Sequence, residues 1–183
     1  MRAHLFVTGL LVILLGLPAA AAAQARAPHQ GGSAIGGEVG VFLPRQNGMS
    51  TGATVEGAYE YYLTARDSLR VGAGWAYPKE EANSNSGMRQ IRLGVDVVHN
   101  WEGGAVHPFA GAGVGSYFLQ PRLNGQNVGS SATKLGGTVF GGAEFFTSKT
   151  FAVKGEARYH VVSKSGTYDP SGLSLTIGLK SYF

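Results

Sequence analysis

The sequence has 183 residues, a formal charge of +4 and a pI near 9.4, and its lysines and arginines are scattered, which leaves nucleic-acid binding without support. It has no cysteine, so a disulfide framework, a thiolate zinc site and a lipid-modified N-terminal cysteine are all excluded. Its 29 glycines follow no collagen spacing, and beyond the first two dozen residues no apolar run approaches the length of a membrane-crossing helix.

The chain opens with "MRAHLFVTGLLVILLGLPAAAAAQA". A basic start at Arg2, an apolar run from Leu5 to Leu17 and an Ala-x-Ala pattern predict a secretory signal peptide over 1–23, with cleavage as late as Ala25. Residues 24–33, small and rich in Pro and Gly, read as a flexible lead-in, and 34–183 as one domain.

From there eight segments alternate apolar and polar residues with period two, as strands with two unlike faces do. The first sets Ile35, Val39, Val41 and Leu43 against Glu38 and Phe42; the second sets Val55, Tyr59, Tyr61 and Leu63 against Glu56, Glu60 and Tyr62. Leu69, Val71 and Trp75 oppose Arg70, Gly72 and Gly74; Ile91, Leu93, Val95 and Val97 oppose Gln90, Arg92 and Asp96. In the fifth segment Gly111, Gly113 and Gly115 share a face with Tyr117. The sixth sets Leu135, Val139 and Phe145 against Thr138, Phe140 and Glu144; the seventh sets Val153, Tyr159 and Val161 against Lys154, Glu156, Arg158 and His160. The last sets Leu173, Leu175, Ile177, Leu179 and Phe183 against Ser174, Thr176, Lys180 and Tyr182.

The connections alternate long ("PRQNGMST", "PKEEANSNSG", "QPRLNGQNVGSSAT", "SKSGTYDPS") and short ("TARD", "EGG", "TSK"). That pattern predicts an all-β fold, an eight-stranded antiparallel up-and-down β-barrel. Period two alone leaves open whether the apolar face looks inward, as in a soluble barrel, or outward into lipid. Glycines gather on the charged face (Gly72, Gly74, Gly94, Gly142, Gly178), as a crowded narrow lumen requires, and aromatic residues sit near strand ends, as interfacial girdles do. The charged face carries Glu38, Glu56, Glu60, Asp96, Glu144 and Glu156 against Arg70, Arg92, Lys154, Arg158 and Lys180. A lumen too narrow for free water must pair such charges. The expectation is a transmembrane barrel plugged by this polar network.

The signal peptide, "GGEVGVFLP", "YEYYLTARDSLRVGAGWAYP", "HPFAGAGVG", "GGAEFF", "EARYH" and the terminal Phe183 together resemble the small outer-membrane barrel proteins of Gram-negative bacteria, OmpA/OmpX-type and porin-like. The resemblance implies residence in the outer membrane, contact with its lipid and lipopolysaccharide, and handling by periplasmic chaperones. It also implies that Leu175, Ile177, Leu179 and Phe183 form an insertion signal read by the barrel assembly machinery. Ser181 departs from the family pattern, which often has an aromatic or large apolar residue there.

No cofactor or metal motif emerges: the glycine pairs open no helix in a βαβ unit, and His99, His107 and His160 are dispersed. "EARYHVVSKSG" loosely resembles the lipid A deacylases, but His160 and Ser163 are three apart and so fall on opposite faces of a strand. The function expected is a structural or loop-mediated surface role without enzymatic activity. A minor diffusion channel and a lipid A deacylase-like hydrolase are the alternatives. The loops carry Arg45, Lys79, Arg122 and Lys164 against Glu80, Glu81 and Asp169, a slightly basic rim whose surface ligand the sequence does not name.

Overall fold

The computed structural model describes residues 28–183; the expected signal peptide and residues 24–27 of the lead-in lie outside the described residues. The strands are β1 (Ser33–Pro44), β2 (Met49–Tyr62), β3 (Asp67–Glu80), β4 (Ser86–Asn100), β5 (Val106–Leu123), β6 (Gln126–Asn127), β7 (Ala132–Ser148), β8 (Phe151–Val162) and β9 (Gly172–Tyr182). Eight of them form one antiparallel sheet in the order β4-β3-β2-β1-β9-β8-β7-β5, which a β4–β5 ladder closes into a barrel. The two-residue β6 only folds back on Arg122 and Leu123 at the end of β5. Closure leaves no long strand with an unpaired edge, the condition for crossing a bilayer as strands.

The direction of the alternation answers the question that period two leaves open. Val71 is 57% exposed and its neighbour Arg70 only 2%; Val139 is 57% exposed and Glu144 is fully buried. Apolar side chains cover the outer wall and charged ones fill the interior, the inverse of a soluble barrel.

Several strand ends differ from the sequence reading. The eight barrel strands run 11 to 18 residues, at or beyond the roughly 9–11 needed to cross a bilayer, and most ladders continue past the expected ends. Met49, Ser50 and Thr51 belong to β2, and Gln120 to Leu123 belong to β5. Turn-forming composition marks where a chain is able to turn, whereas backbone pairing persists until a partner is lacking. The described part of the lead-in is likewise tied down. Gly31 N–H donates to Tyr62 O, Tyr62 N–H donates to Gly32 O, and Ser33 already pairs with Phe183 through two backbone bonds of 2.9 Å.

Small inward residues make room for the long ones. Gly36, Ala58, Gly72, Gly94, Gly115 and Gly136 follow one register line across β1, β2, β3, β4, β5 and β7. A Cβ at Gly113 would collide with the Asp96 carboxylate, and one at Gly94 with the Arg92 guanidinium.

Candidate functional site in the barrel lumen

Eleven charged residues were expected on the inner face, and the barrel brings all of them into one connected set of ion pairs. Starting at the end where Ser33 and Phe183 lie, Lys180 bridges Glu144 and Glu60 at 2.8 Å each. Glu60 passes the chain of contacts to Arg70 (3.0 Å), which also holds Glu156 (2.8 Å). Glu156 is the hub: it meets Arg70, Lys154 and Arg158, the latter two at 2.7 Å. Lys154 reaches Glu38, while Arg158 reaches Asp96 (2.9 Å) and, more loosely, Glu56 (3.6 Å). Asp96 also pairs with Arg92.

Six carboxylates and five cations leave one excess negative charge if all are ionised. Glu56 is the least constrained, with its side chain 14% exposed against 9% or less for the other ten. Buried charges of this kind are tolerable only when partners and hydrogen bonds replace water. Neutral groups add to this: Ser68 donates to Glu60, Thr176 to Glu38 and Tyr182 to Glu144, while Arg70 Nη2 and Arg92 Nε are buried without a partner. The Arg158 and Arg70 guanidiniums both lie over the Phe140 ring, 4.0 and 5.2 Å from its centre, and Phe109 faces Arg70 and Lys154. These contacts solvate the cations with aromatic faces where water is excluded.

Apolar and aromatic packing closes both ends of the ionic zone, a feature the sequence reading did not assemble. Tyr62, Phe146 and Tyr182 with Ala34 and Ala152 fill the end where Ser33 and Phe183 lie. Tyr117, Leu119 and Val162, packed by Met88 and Tyr168, fill the other, where Gln90 Nε2 donates to the Tyr168 hydroxyl at 2.6 Å. The available signal was the presence of Tyr62, Tyr117, Phe140 and Tyr182 on the polar face of their strands, where a water-filled channel would have no use for them.

His160 belongs to this second closure. Its Nδ1 lies 2.9 Å from the Tyr117 hydroxyl and its Nε2 2.9 Å from Ser174 Oγ. Ser163 is exposed while His160 is buried and takes Tyr117 and Ser174 as its side-chain partners, so the pair weighed from sequence does not meet. A histidine within reach of a serine invites comparison with a nucleophilic dyad. The adjoining void, bounded by Phe42, Thr54, Arg92, Tyr117, His160 and Ser174, is about 20 Å³, room for a water and not for an acyl chain.

The four residues expected to address the assembly machinery sit on the outer wall at β9 and just beyond it: Leu175, Leu179 and Phe183 are exposed and Ile177 is half-buried. At the loop end, Arg45 and Lys164 lie in the field of Asp169. Partial burial opposes ionisation of Asp169, but hydrogen bonds from Ser171 and these two cations hold its carboxyl below the usual range. Among the described residues no group of His, Cys, Asp or Glu is placed to hold a metal ion.

A family model described as an outer membrane protein beta-barrel domain matches residues 10–183, and the chain belongs to that family. Among curated proteins none matches the sequence. Among solved structures, Neisserial surface protein A superposes with a TM-score of 0.71 at 16% identity, covering 84% of this chain and 98% of that one. Ail, the attachment invasion locus protein of Yersinia pestis, gives 0.58 at 15%, over 84% and 99%. The outer membrane enzyme PagL gives 0.50 at 19%, over 81% and 98%. At such identities the likeness speaks for the fold alone.

Proposed function

We propose that this outer-membrane barrel conducts nothing and acts from its surface, as a structural envelope protein or through its loops. One observation carries the reading: the lumen is filled along its axis, with an ionic network between two aromatic closures. Eight strands enclose an interior just wide enough for side chains, and here side chains occupy it. The short turns, which lie at the same end as Ser33 and Phe183, face the periplasm in this reading, and the other end faces outward, as the family's loop asymmetry implies. Leu175, Ile177, Leu179 and Phe183 serve as the address for assembly, and lipopolysaccharide and periplasmic chaperones are the expected partners.

Planar-bilayer recording of the refolded protein is the test. No steady current step is expected from the wild type, and a large steady conductance overturns the proposal in favour of a diffusion channel. The hydrolase alternative is weakened by the enclosure of His160 and Ser174 behind Tyr117. Lipid A from cells overexpressing the protein should keep every acyl chain; loss of chains that Ser174→Ala or His160→Ala restores would make the barrel an enzyme.

A further inference from the structure

We propose that the outer wall of β3, β4 and β5 at their loop ends binds the phosphorylated headgroup of an outer-leaflet glycolipid through Lys79, Arg89 and Arg122. The inference rests on the orientation adopted above.

Lys79, Gly87 and Arg122 are direct register neighbours on three adjacent strands, so two cations flank a glycine across two ladder spacings, about 10 Å. Arg89 stands two residues along β4, beside Gln120. All three cations face outward, because Pro78, Gln90 and Leu119, at odd spacings from Lys79, Arg89 and Arg122 along their strands, are buried in the lumen. One step toward the waist of the barrel, Trp75, Ile91 and Phe118 are register neighbours, and Trp75 stacks on Tyr77 at 6.2 Å. The Arg122 guanidinium lies 6.0 Å from the Tyr77 ring centre. Aromatic rings on a barrel wall mark the boundary between hydrocarbon and headgroups, so cations just beyond them sit at phosphate depth.

Charge supplies the second argument. Every cation of the lumen meets a carboxylate, yet among the described residues Lys79, Arg89 and Arg122 make no ion pair. Arg122 Nη2 donates to Gly125 O, and its Nε, like Arg70 Nη2 and Arg92 Nε in the lumen, has no partner; what sets Arg122 apart is that no carboxylate among the described residues meets it. Three like charges on one wall repel one another unless an anion sits among them. The apolar wall directly below, Ile91, Leu93 and Phe118, suits acyl chains and makes the occupant an amphiphile.

The full mature protein is refolded into phosphatidylcholine nanodiscs doped with bis-phosphorylated lipid A or with its dephosphorylated form, and the lipid A retained on affinity purification is measured. The wild type should retain the phosphorylated form, and Arg122→Gln and the pair R89Q/R122Q should retain about fivefold less for each cation removed. A control pair, R45Q/K164Q, removes equal charge near Asp169 and should retain as much as the wild type. Equal retention by R89Q/R122Q, equal loss in the control, or complete displacement of the lipid by millimolar inorganic phosphate overturns the site. Folding of each variant is checked by its heat-modifiable gel mobility; if the double variant does not fold, Arg122→Gln alone decides. The chain has no cysteine, so Asn127→Cys reports orientation. Labelling of intact cells by an impermeant maleimide supports the orientation, and labelling only after lysis overturns it while leaving the nanodisc result, which is blind to sidedness, to judge the site.

Discussion

Glu156 and Glu56 are chemically alike and two strands' worth of context apart, and their environments predict opposite sensitivities. Glu156 touches three cations, so Glu156→Gln leaves Arg70, Lys154 and Arg158 short of charge in a buried interior. Breaking a buried pair from one side costs about 3–5 kcal/mol, and here several pairs share the loss. Glu56 has one contact at 3.6 Å and partial exposure, and it accounts for the excess acid in the network. Glu56→Gln is therefore expected to change stability by less than about 1 kcal/mol. Urea titration in detergent micelles, read by gel mobility of the folded barrel, separates the two; similar midpoints for both variants would mean that the network is not held through Glu156. His160 belongs at the same scale. Sequence spacing correctly separates it from Ser163, yet only the barrel brings Ser174 to it, from another strand.

At the scale of the strand, each position is either inside or outside, and a glycine shows the difference sharply. A methyl group at Gly113 would strike the Asp96 carboxylate and Val95 O, whereas one at Gly137 would meet only Gly113 O at 3.6 Å, ordinary contact on the lipid side. Gly113→Ala should abolish or severely reduce refolding, and Gly137→Ala should refold like the wild type; the refolded fraction in detergent is the readout. The last strand raises a separate issue. Phe183 is 67% exposed on the wall and contributes at most about 1.5–3 kcal/mol of burial in lipid, a small part of a closed ladder. Deleting it should lower the amount of folded protein in the outer membrane while refolding in detergent stays nearly intact. Equal losses in both settings would make Phe183 a packing residue, and unchanged membrane levels would remove the address reading. Ser181 lies beside Ile35 and Phe151, where a larger side chain would add to the wall.

The whole barrel inverts the usual division of polar and apolar groups, and its response to salt should follow. Pairs on a surface are screened by electrolyte, but ions do not enter a filled lumen. The urea midpoint should change little between low salt and about 1 M salt, apart from the general effect of salt on apolar burial. A steep fall would show that water and ions reach the network. The two aromatic closures also mean that Arg158→Ala by itself leaves both ends sealed. Steady conductance is expected only when an end is opened as well, for instance by adding Tyr117→Ala and Tyr168→Ala.

Much of this was decided by local pattern. The alternation of residues sets each strand's two faces, the balance of charges on one face implies pairing, and the turn-rich stretches mark the hairpins. These are properties of neighbours along the chain, and they suffice for the fold and for which eleven charges face inward. Pairing is another matter. That Glu156 is the hub and Glu56 nearly idle, that aromatic groups seal both ends, and that Lys79 and Arg122 flank Gly87 all depend on register across closed ladders. Register is set by the sum of backbone bonds and by packing inside a cylinder, so it brings together residues as far apart in the chain as Glu38 and Lys154. No short window of sequence carries that information, because the energy that selects it exists only once the barrel is closed.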